Sequence, residues 1–75
     1  MHTVVGLIED TNATHFESGK PLLLRRGQIG TVVMTYEDGV CDVEFADRDG
    51  RTYAMLTLTP DRLMVLHGAP EPAAV

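Results

Sequence analysis

Three histidines and one cysteine are the side chains of this 75-residue chain best suited to metal binding or nucleophilic chemistry. The histidines, His2, His15 and His67, lie far apart in the sequence, and a metal site would need two of them beside a carboxylate such as Glu17. Isolated surface histidines are common in proteins and require no ligand to explain them. We therefore expect no metal site and no cofactor.

Cys41 is the only cysteine, so no disulfide can form within the chain. A nucleophilic thiol needs a nearby base and an electropositive setting, whereas Cys41 is followed by Asp42 and occupies an inward position of a predicted strand. The sequence therefore favours a packed, unreactive thiol. A single reduced cysteine is typical of a cytoplasmic protein.

Three clustered carboxylates and two glycines complete the candidates for chemistry. Glu44, Asp47 and Asp49 suggest a cation site or an acid–base pair, but cation-binding loops supply more oxygens at regular spacing, and turn formation explains both aspartates. Gly27 and Gly30 form no phosphate-binding loop, because no Lys-Ser/Thr pair follows and no helix begins there. With no residue set suited to catalysis, we predict that the protein is not an enzyme.

The basic residues raise the alternative of RNA binding. Lys20, Arg25 and Arg26 form a small cluster, and Arg51 beside Tyr53 could offer a guanidinium and an aromatic ring to RNA. However, eleven acidic residues against six basic ones give a net charge of −5, which opposes contact with phosphates. Two tyrosines and two phenylalanines also leave few rings for base stacking.

Strand-like alternation and turn residues predict an all-β chain. Cys41, Val43 and Phe45 alternate with acidic residues, and Asp38-Gly39 is a strong hairpin signal. The predicted strands cover residues 3–8, 29–36, 40–46, 51–58 and 63–66. Residues 9–21 are polar and aperiodic, which is typical of a long loop, and Pro60 after Thr59 starts a short helical turn.

These elements predict a small five-stranded SH3-like barrel, with a long loop after strand 1 and one short 3-10 turn before the last strand. The barrel would be a single domain over residues 1–67, followed by a disordered tail rich in proline and alanine over residues 68–75. An OB-fold competes, but it needs more residues and a true helix. No segment resembles an export signal or a membrane span.

The assembled pattern resembles a bacterial family of small proteins, catalogued as domain of unknown function 4926. The resemblance rests on Val4, Val5 and Leu7, on residues 27–33, 43–45 and 49–54, and on Leu63 and Leu66. It implies an SH3-like barrel without an established activity, and pairing with the product of a neighbouring gene, as in toxin and antitoxin pairs. The chain departs from the family at residues 12–20, where the family has a shorter, acidic stretch with proline. The glycine-valine spacing from Gly27 to Val32 also resembles the KOW elements of ribosomal proteins.

The apolar residues outside the alternating pattern decide the functional hypothesis. Met34, Met55, Met64 and the run from Leu22 to Leu24 either close the ends of the barrel or form an exposed patch for a protein partner. We predict a non-enzymatic, cytoplasmic protein-binding module, an antitoxin-like or accessory partner of a neighbouring gene product. A homodimer and a KOW-like RNA- or ribosome-associated module are the alternatives. The candidate partner-binding residues are Leu22, Leu23, Leu24, Arg25, Arg26, Met34, Arg51 and Tyr53.

Overall fold

The computed structural model describes residues 3–73, which form seven β-strands. The strands are β1 Val4–Leu7, β2 Thr11–Thr14, β3 Pro21–Leu24, β4 Ile29–Thr35, β5 Cys41–Ala46, β6 Thr52–Leu58 and β7 Leu63–Val65. Within the described range, the helical elements are two 3-10 turns, Glu37–Gly39 and Pro60–Arg62. No helix within residues 3–73 is long and apolar enough to cross a bilayer.

Five strands form one antiparallel sheet in the order β6-β5-β4-β1-β7. These are the five strands that the sequence predicts, and the short 3-10 turn before the last one is confirmed. The predicted count and closure are wrong, because residues 3–73 form seven strands and the sheet keeps two edges, β6 and β7, that are not paired with each other. The protein is therefore an open all-β fold.

The remaining two strands form a separate hairpin in the segment predicted to be a long loop. β2 pairs antiparallel with β3, with Thr11 opposite Leu24 and Ala13 opposite Leu22. The prediction of a long loop over residues 9–21 is therefore wrong. The sequence does not reveal β2 because this strand is short and its inward positions carry threonine and alanine. Thr11 is nonetheless buried and Ala13 packs against the core, so period-2 burial is present without large apolar residues.

The core lies between this hairpin and one face of the five-stranded sheet. We call this face, which carries Val5 and Val43, the concave side, and the opposite face, which carries Glu44, the convex face. Phe45, Leu24 and Val43 are the largest fully buried side chains of the core, each contributing about 1.5–3 kcal/mol through burial. The other buried apolar residues are Val5, Leu7, Cys41, Ala54 and Leu58. Because Leu24 comes from β3, the hairpin completes the core that the sheet alone leaves open.

The turn between β4 and β5 follows the predicted hairpin chemistry. Asp38 and Gly39 have positive φ angles of 66° and 79°, which aspartate tolerates and glycine adopts freely. A hydrogen bond from the Tyr36 backbone N–H to the Val40 carbonyl, 2.7 Å long, closes the turn. The predicted Asp-Gly hairpin is therefore confirmed.

Gly30 allows the closest approach between a strand backbone and the core. A Cβ atom at this position would lie 2.6 Å from Val43 Cγ1 and 2.8 Å from Phe45 Cε1, both shorter than any normal carbon contact. Gly30 is paired with Val5 on β1, so the Cβ position of Gly30 faces the concave side, as the buried Val5 side chain does. Phe45 and Val43 therefore fill the space that a larger residue at position 30 would occupy.

We predict that Gly30→Ala lowers the free energy of unfolding by about 1–3 kcal/mol, because the added methyl group overpacks the core around Phe45. Urea denaturation measures this change. Gly68→Ala is the matched control, since no atom lies within 4 Å of a Cβ built there, and it should stay close to wild type. Equal stability of the two variants would contradict the assigned role of Gly30.

Candidate functional site

The structure divides the leucine run that the sequence places in the candidate interface. Leu24 is buried in the core, Leu22 packs partly buried against it, and Leu23 points outward with 55% of its surface exposed. Strand alternation in β3 causes this division. The inclusion of Leu24 is therefore corrected, because it is a core residue with no surface to offer a partner.

Arg25 and Arg26 lie at the base of the hairpin, where both contact Asp10. One carboxylate oxygen of Asp10 lies 3.3 Å from Arg25 Nε and accepts a 2.8 Å hydrogen bond from the Arg26 backbone N–H. The Arg26 hydrogen bond, followed by the Arg25 charge, lowers the pKa of Asp10. This contact joins the segments before β2 and after β3, so it holds the hairpin at its base.

The last three predicted residues lie at separate places. Tyr53 is partly buried against the core, and its hydroxyl is hydrogen-bonded to the side-chain amide of Gln28. Arg51 is exposed in the turn before β6, whereas Met34 is exposed on β4. The same Gln28 side chain accepts a 3.1 Å hydrogen bond from the Arg25 backbone N–H, so the structure brings Tyr53 near Arg25, whereas Met34 lies at the opposite end of β4.

The histidines and their proposed carboxylate partner do not converge within the described range. His15 lies in the turn of the hairpin, where its Nδ1 accepts hydrogen bonds from the backbone N–H groups of Glu17 and Ser18, each 3.2 Å long. His67 is exposed after β7, and His2 lies outside the described residues. Across residues 3–73, no group of three histidine, cysteine or acidic side chains is placed to hold a metal ion.

The acidic turn between β5 and β6 has a structural explanation. Asp47 Oδ1 accepts two 3.0 Å hydrogen bonds, from the backbone N–H groups of Asp49 and Arg51. Gly50 completes the turn with a φ angle of 80°. The Asp47 carboxylate thus fixes the turn geometry that the sequence suggests.

Cys41 lies on the concave side of β5 with 5% of its surface exposed. Burial, followed by the neighbouring charge of Asp42, raises the pKa of the thiol, so it is protonated at neutral pH. Thiolate is the reactive form of cysteine, and this environment disfavours it.

We predict that Cys41 in the folded protein reacts at least about tenfold more slowly with a disulfide reagent such as DTNB than it does in urea. The time course of absorbance measures both rates on the same sample. Equal rates in the folded and unfolded protein would mean that the thiol is accessible and would revive a reactive role for Cys41.

The strand register instead brings together residues that the sequence leaves apart, on the convex face of the sheet. Met55 is opposite Glu44, Glu44 is opposite Thr31, and Thr31 is opposite Val4. These partners occupy adjacent strands, so one row of outward side chains crosses β6, β5, β4 and β1. The row is acidic on β5 and aliphatic on β1.

The aliphatic end of this face forms an apolar patch made of Val4, Ile8, Ile29, Met64 and Leu66. Ile29 and Met64 are 60% and 58% exposed and lie opposite Gly6 from its two sides, on β4 and β7. The Leu66 side chain lies 3.6 Å from the Cβ position of Gly6. The outer face of a one-sided antiparallel sheet is usually polar, so this patch is an exception.

The acidic end of the face carries Asp42 and Glu44, two residues apart on β5. Asp42 accepts 2.6 Å hydrogen bonds from the hydroxyls of Thr57 and Tyr36, and Glu44 accepts a 2.8 Å bond from the Thr52 hydroxyl. The Thr57 bond, followed by the Tyr36 bond, lowers the pKa of Asp42. The Asp42 carboxylate is therefore held ionised and oriented at neutral pH.

A smaller opening lies at the uncovered end of the concave side. Val5, Val32, Cys41, Leu63 and Val65 are among the residues that line this groove of about 240 Å³. Pro60 and Gly39 border it where the second 3-10 turn meets the first. The groove is mainly apolar, and the polar groups in its lining are the hydroxyls of Thr3 and Thr35 and the protonated thiol of Cys41.

A protein-family model described as a domain of unknown function, DUF4926, matches residues 1–65. The chain belongs to the DUF4926 family. This match confirms the resemblance seen in the sequence and spans all seven strands of this DUF4926 member, including Met64 of the apolar patch. Comparisons with curated proteins and with solved structures found no significant match.

The patch residues that sequence reasoning did not select as candidates are Val4, Ile8, Ile29 and Leu66. Each lies at the end of a predicted strand or next to a glycine, where alternation alone does not show which face is covered. The available signal was Gly6, because a glycine within a strand marks a place where another group can pack closely, which here is the Leu66 side chain.

For the acidic end of the face, we predict that Thr57→Val raises the pKa of Asp42, because it removes the strongest hydrogen bond to the ionised form. Carboxyl titration by NMR measures the pKa, and Asp10, whose pKa depends on Arg26, is the internal control.

The folded pKa of Asp42 lies below its ordinary value, so its stabilisation is present above that value and disappears as the pH falls through the folded pKa. Thr57→Val should therefore flatten the acid side of the stability profile. An unchanged Asp42 titration in the variant would show that the hydroxyl does not set this pKa.

Proposed function

We propose that this DUF4926 protein is a non-enzymatic module that binds another protein through the apolar patch on β1, β4 and β7. The observation that carries the proposal is that four large apolar side chains, three on neighbouring strands and one directly after β1, are 41–60% exposed. These side chains are Val4, Ile8, Ile29 and Met64.

The shape of the patch suits a protein contact. Gly6, covered by the Leu66 side chain, lies on the floor of a shallow depression that is lined by Ile8, Met64, Leu66 and, at one border, Arg26. An apolar side chain of a partner could insert there, which is how buried anchor residues supply most of the binding energy of an interface. Each square ångström of apolar surface that the partner covers contributes about 25 cal/mol.

The edge of the sheet adds a second means of contact. β7 is an edge strand that pairs only with β1, and it carries Met64 between Leu63 and Val65. An unpaired strand edge beside exposed apolar side chains can accept a strand of a partner. The three-residue length of β7 limits this contact to a few hydrogen bonds, so the apolar patch supplies most of the interface.

In its finer form, the proposal is that the partner is the product of an adjacent gene and that this chain is its antitoxin-like or accessory half. The small size, the acidic balance and the exposed patch support that reading. The single free cysteine supports a cytoplasmic location. We also infer an SH3-like fold, supported by the sheet order, in which β1 lies between β4 and β7, and by the 3-10 turn before β7.

RNA binding is the weaker hypothesis. Arg25 is paired with Asp10, and Arg62 is paired with Glu9 at 2.7 Å. Lys20 lies at the turn of the hairpin and Arg51 in the turn before β6, and the two ion pairs offset the charges of Arg25 and Arg62. Any RNA binding that did occur through phosphates would weaken steeply as salt is raised.

We predict that Met64→Glu abolishes co-purification with the adjacent gene product when the two proteins are co-expressed, because it places a charge in the centre of the interface. Leu23→Glu is the matched control, since Leu23 is similarly exposed on the hairpin and receives the same charge. It should retain the partner. Circular dichroism verifies that both variants fold.

Two results would contradict the proposed function. One is that the wild-type chain forms no complex with the adjacent gene product. The other is that Leu23→Glu loses the partner while Met64→Glu keeps it, which would move the interface to the hairpin. A loss with both variants would call for Ile29→Glu as a further test of the patch.

A further inference from the structure

The convex face continues from the apolar patch into an acidic strip, made of Asp42 and Glu44 with Met34 and Met55 beside them. Met34 is opposite Asp42 on β4, and Met55 is opposite Glu44 on β6. Both methionines are more than 40% exposed. The strip therefore presents two carboxylates beside two exposed apolar side chains.

The carboxylates of the strip are oriented by hydroxyl groups and not neutralised by cations. The donors are Tyr36, Thr52 and Thr57. In the described part of the chain, the ion pairs are Arg25 with Asp10 and Arg62 with Glu9, both outside β5. A hydroxyl donor uses one lone pair of a carboxylate and leaves its negative charge in place.

The acidic strip and the apolar patch form a single surface. The row from Met55 through Glu44 and Thr31 to Val4 joins them without a break between strands. Neighbouring strands are about 4.8 Å apart, so a partner covering both the patch and the strip spans about 20 Å, the width of a small protein interface. A partner that binds the patch therefore also meets the carboxylates.

A second copy of this chain is a poor occupant of that surface. A two-fold contact through the middle of the face would bring the β5 carboxylates of both copies close together. Each copy also carries a net charge of −5, and like charges that face each other across an interface weaken it. The charge pattern requires a different chain.

We propose that the partner of the convex face is a protein surface that combines apolar side chains with lysine or arginine, the cations contacting Asp42 and Glu44 while the apolar groups cover the patch around Gly6. This inference rests on the proposed function and adds the chemistry of the partner. Charge complementarity of this kind sets specificity and the rate of association.

A short synthetic peptide in which leucine and lysine alternate is the probe, and a leucine–glutamate peptide is its matched counterpart. NMR shift mapping on the ¹⁵N-labelled chain locates the binding surface. We expect the lysine peptide to shift the signals of β5, Met55 and Met64, and to bind about tenfold more tightly than the glutamate peptide. Raising the salt concentration should weaken only the lysine peptide.

Two double variants with equal charge change separate the strip from the overall acidity of the chain. Asp42→Asn with Glu44→Gln should weaken the lysine peptide about tenfold. Glu37→Gln with Asp38→Asn also removes two charges, from the first 3-10 turn, and should change its affinity less than twofold. Asparagine tolerates the positive φ angle at position 38, so this control should keep the fold.

Several outcomes would overturn the inference. Equal binding of the two peptides at the apolar patch would refute the cationic partner and leave the proposed function standing. Equal weakening by the two double variants would show that the acidic strip has no special role. A dimer in light scattering that Met64→Glu dissolves would identify the occupant as a second copy. Failure of the proposed function itself appears differently, as shifts confined to the hairpin or the turns.

Discussion

The contact of Phe45 and Val43 with the backbone of Gly30 is the constraint on which the rest of the structure depends. It fixes which face of β4 turns inward, and the register with β1 then places Val5 on the same side. Because side chains alternate strictly along a strand, a shift of one residue would exchange the two faces. The inward position of Gly30 thus determines that Ile29 is outward.

Gly6 and Gly30 allow close packing on opposite faces of the sheet. Gly30 gives up its side chain so that the core can close around Phe45, whereas Gly6 lies under Leu66 on the floor of a shallow outer depression that Met64 also lines. The first absence contributes to stability through packing, and the second lets the chain's own Leu66 side chain pack closely over the outer side of β1. The fold and the proposed interface therefore arise from neighbouring residues of one strand pair.

Most of the five-stranded sheet can be predicted from the sequence, because β5 alternates cleanly and Asp38-Gly39 marks its hairpin. The β2-β3 hairpin escapes prediction, since Thr11 and Ala13 are inward residues too small or too polar to show the period. The candidate site was harder still. A surface shared by β1, β4, β5 and β7 is set by register and sheet order, and these arise from tertiary packing rather than from any local pattern.

The free protein gains little from the composition of its convex face. Ile29 and Met64 remain more than half exposed, so neither contributes more than a part of the free energy that full burial would provide. Polar residues at these positions would also protect the β7 edge from unwanted pairing. The core, by contrast, is complete without them, because Phe45, Leu24 and Val43 are already fully buried. Substitutions on the face should therefore change binding far more than folding. That separation makes the face testable by mutation, and it is what a surface adapted to a partner requires.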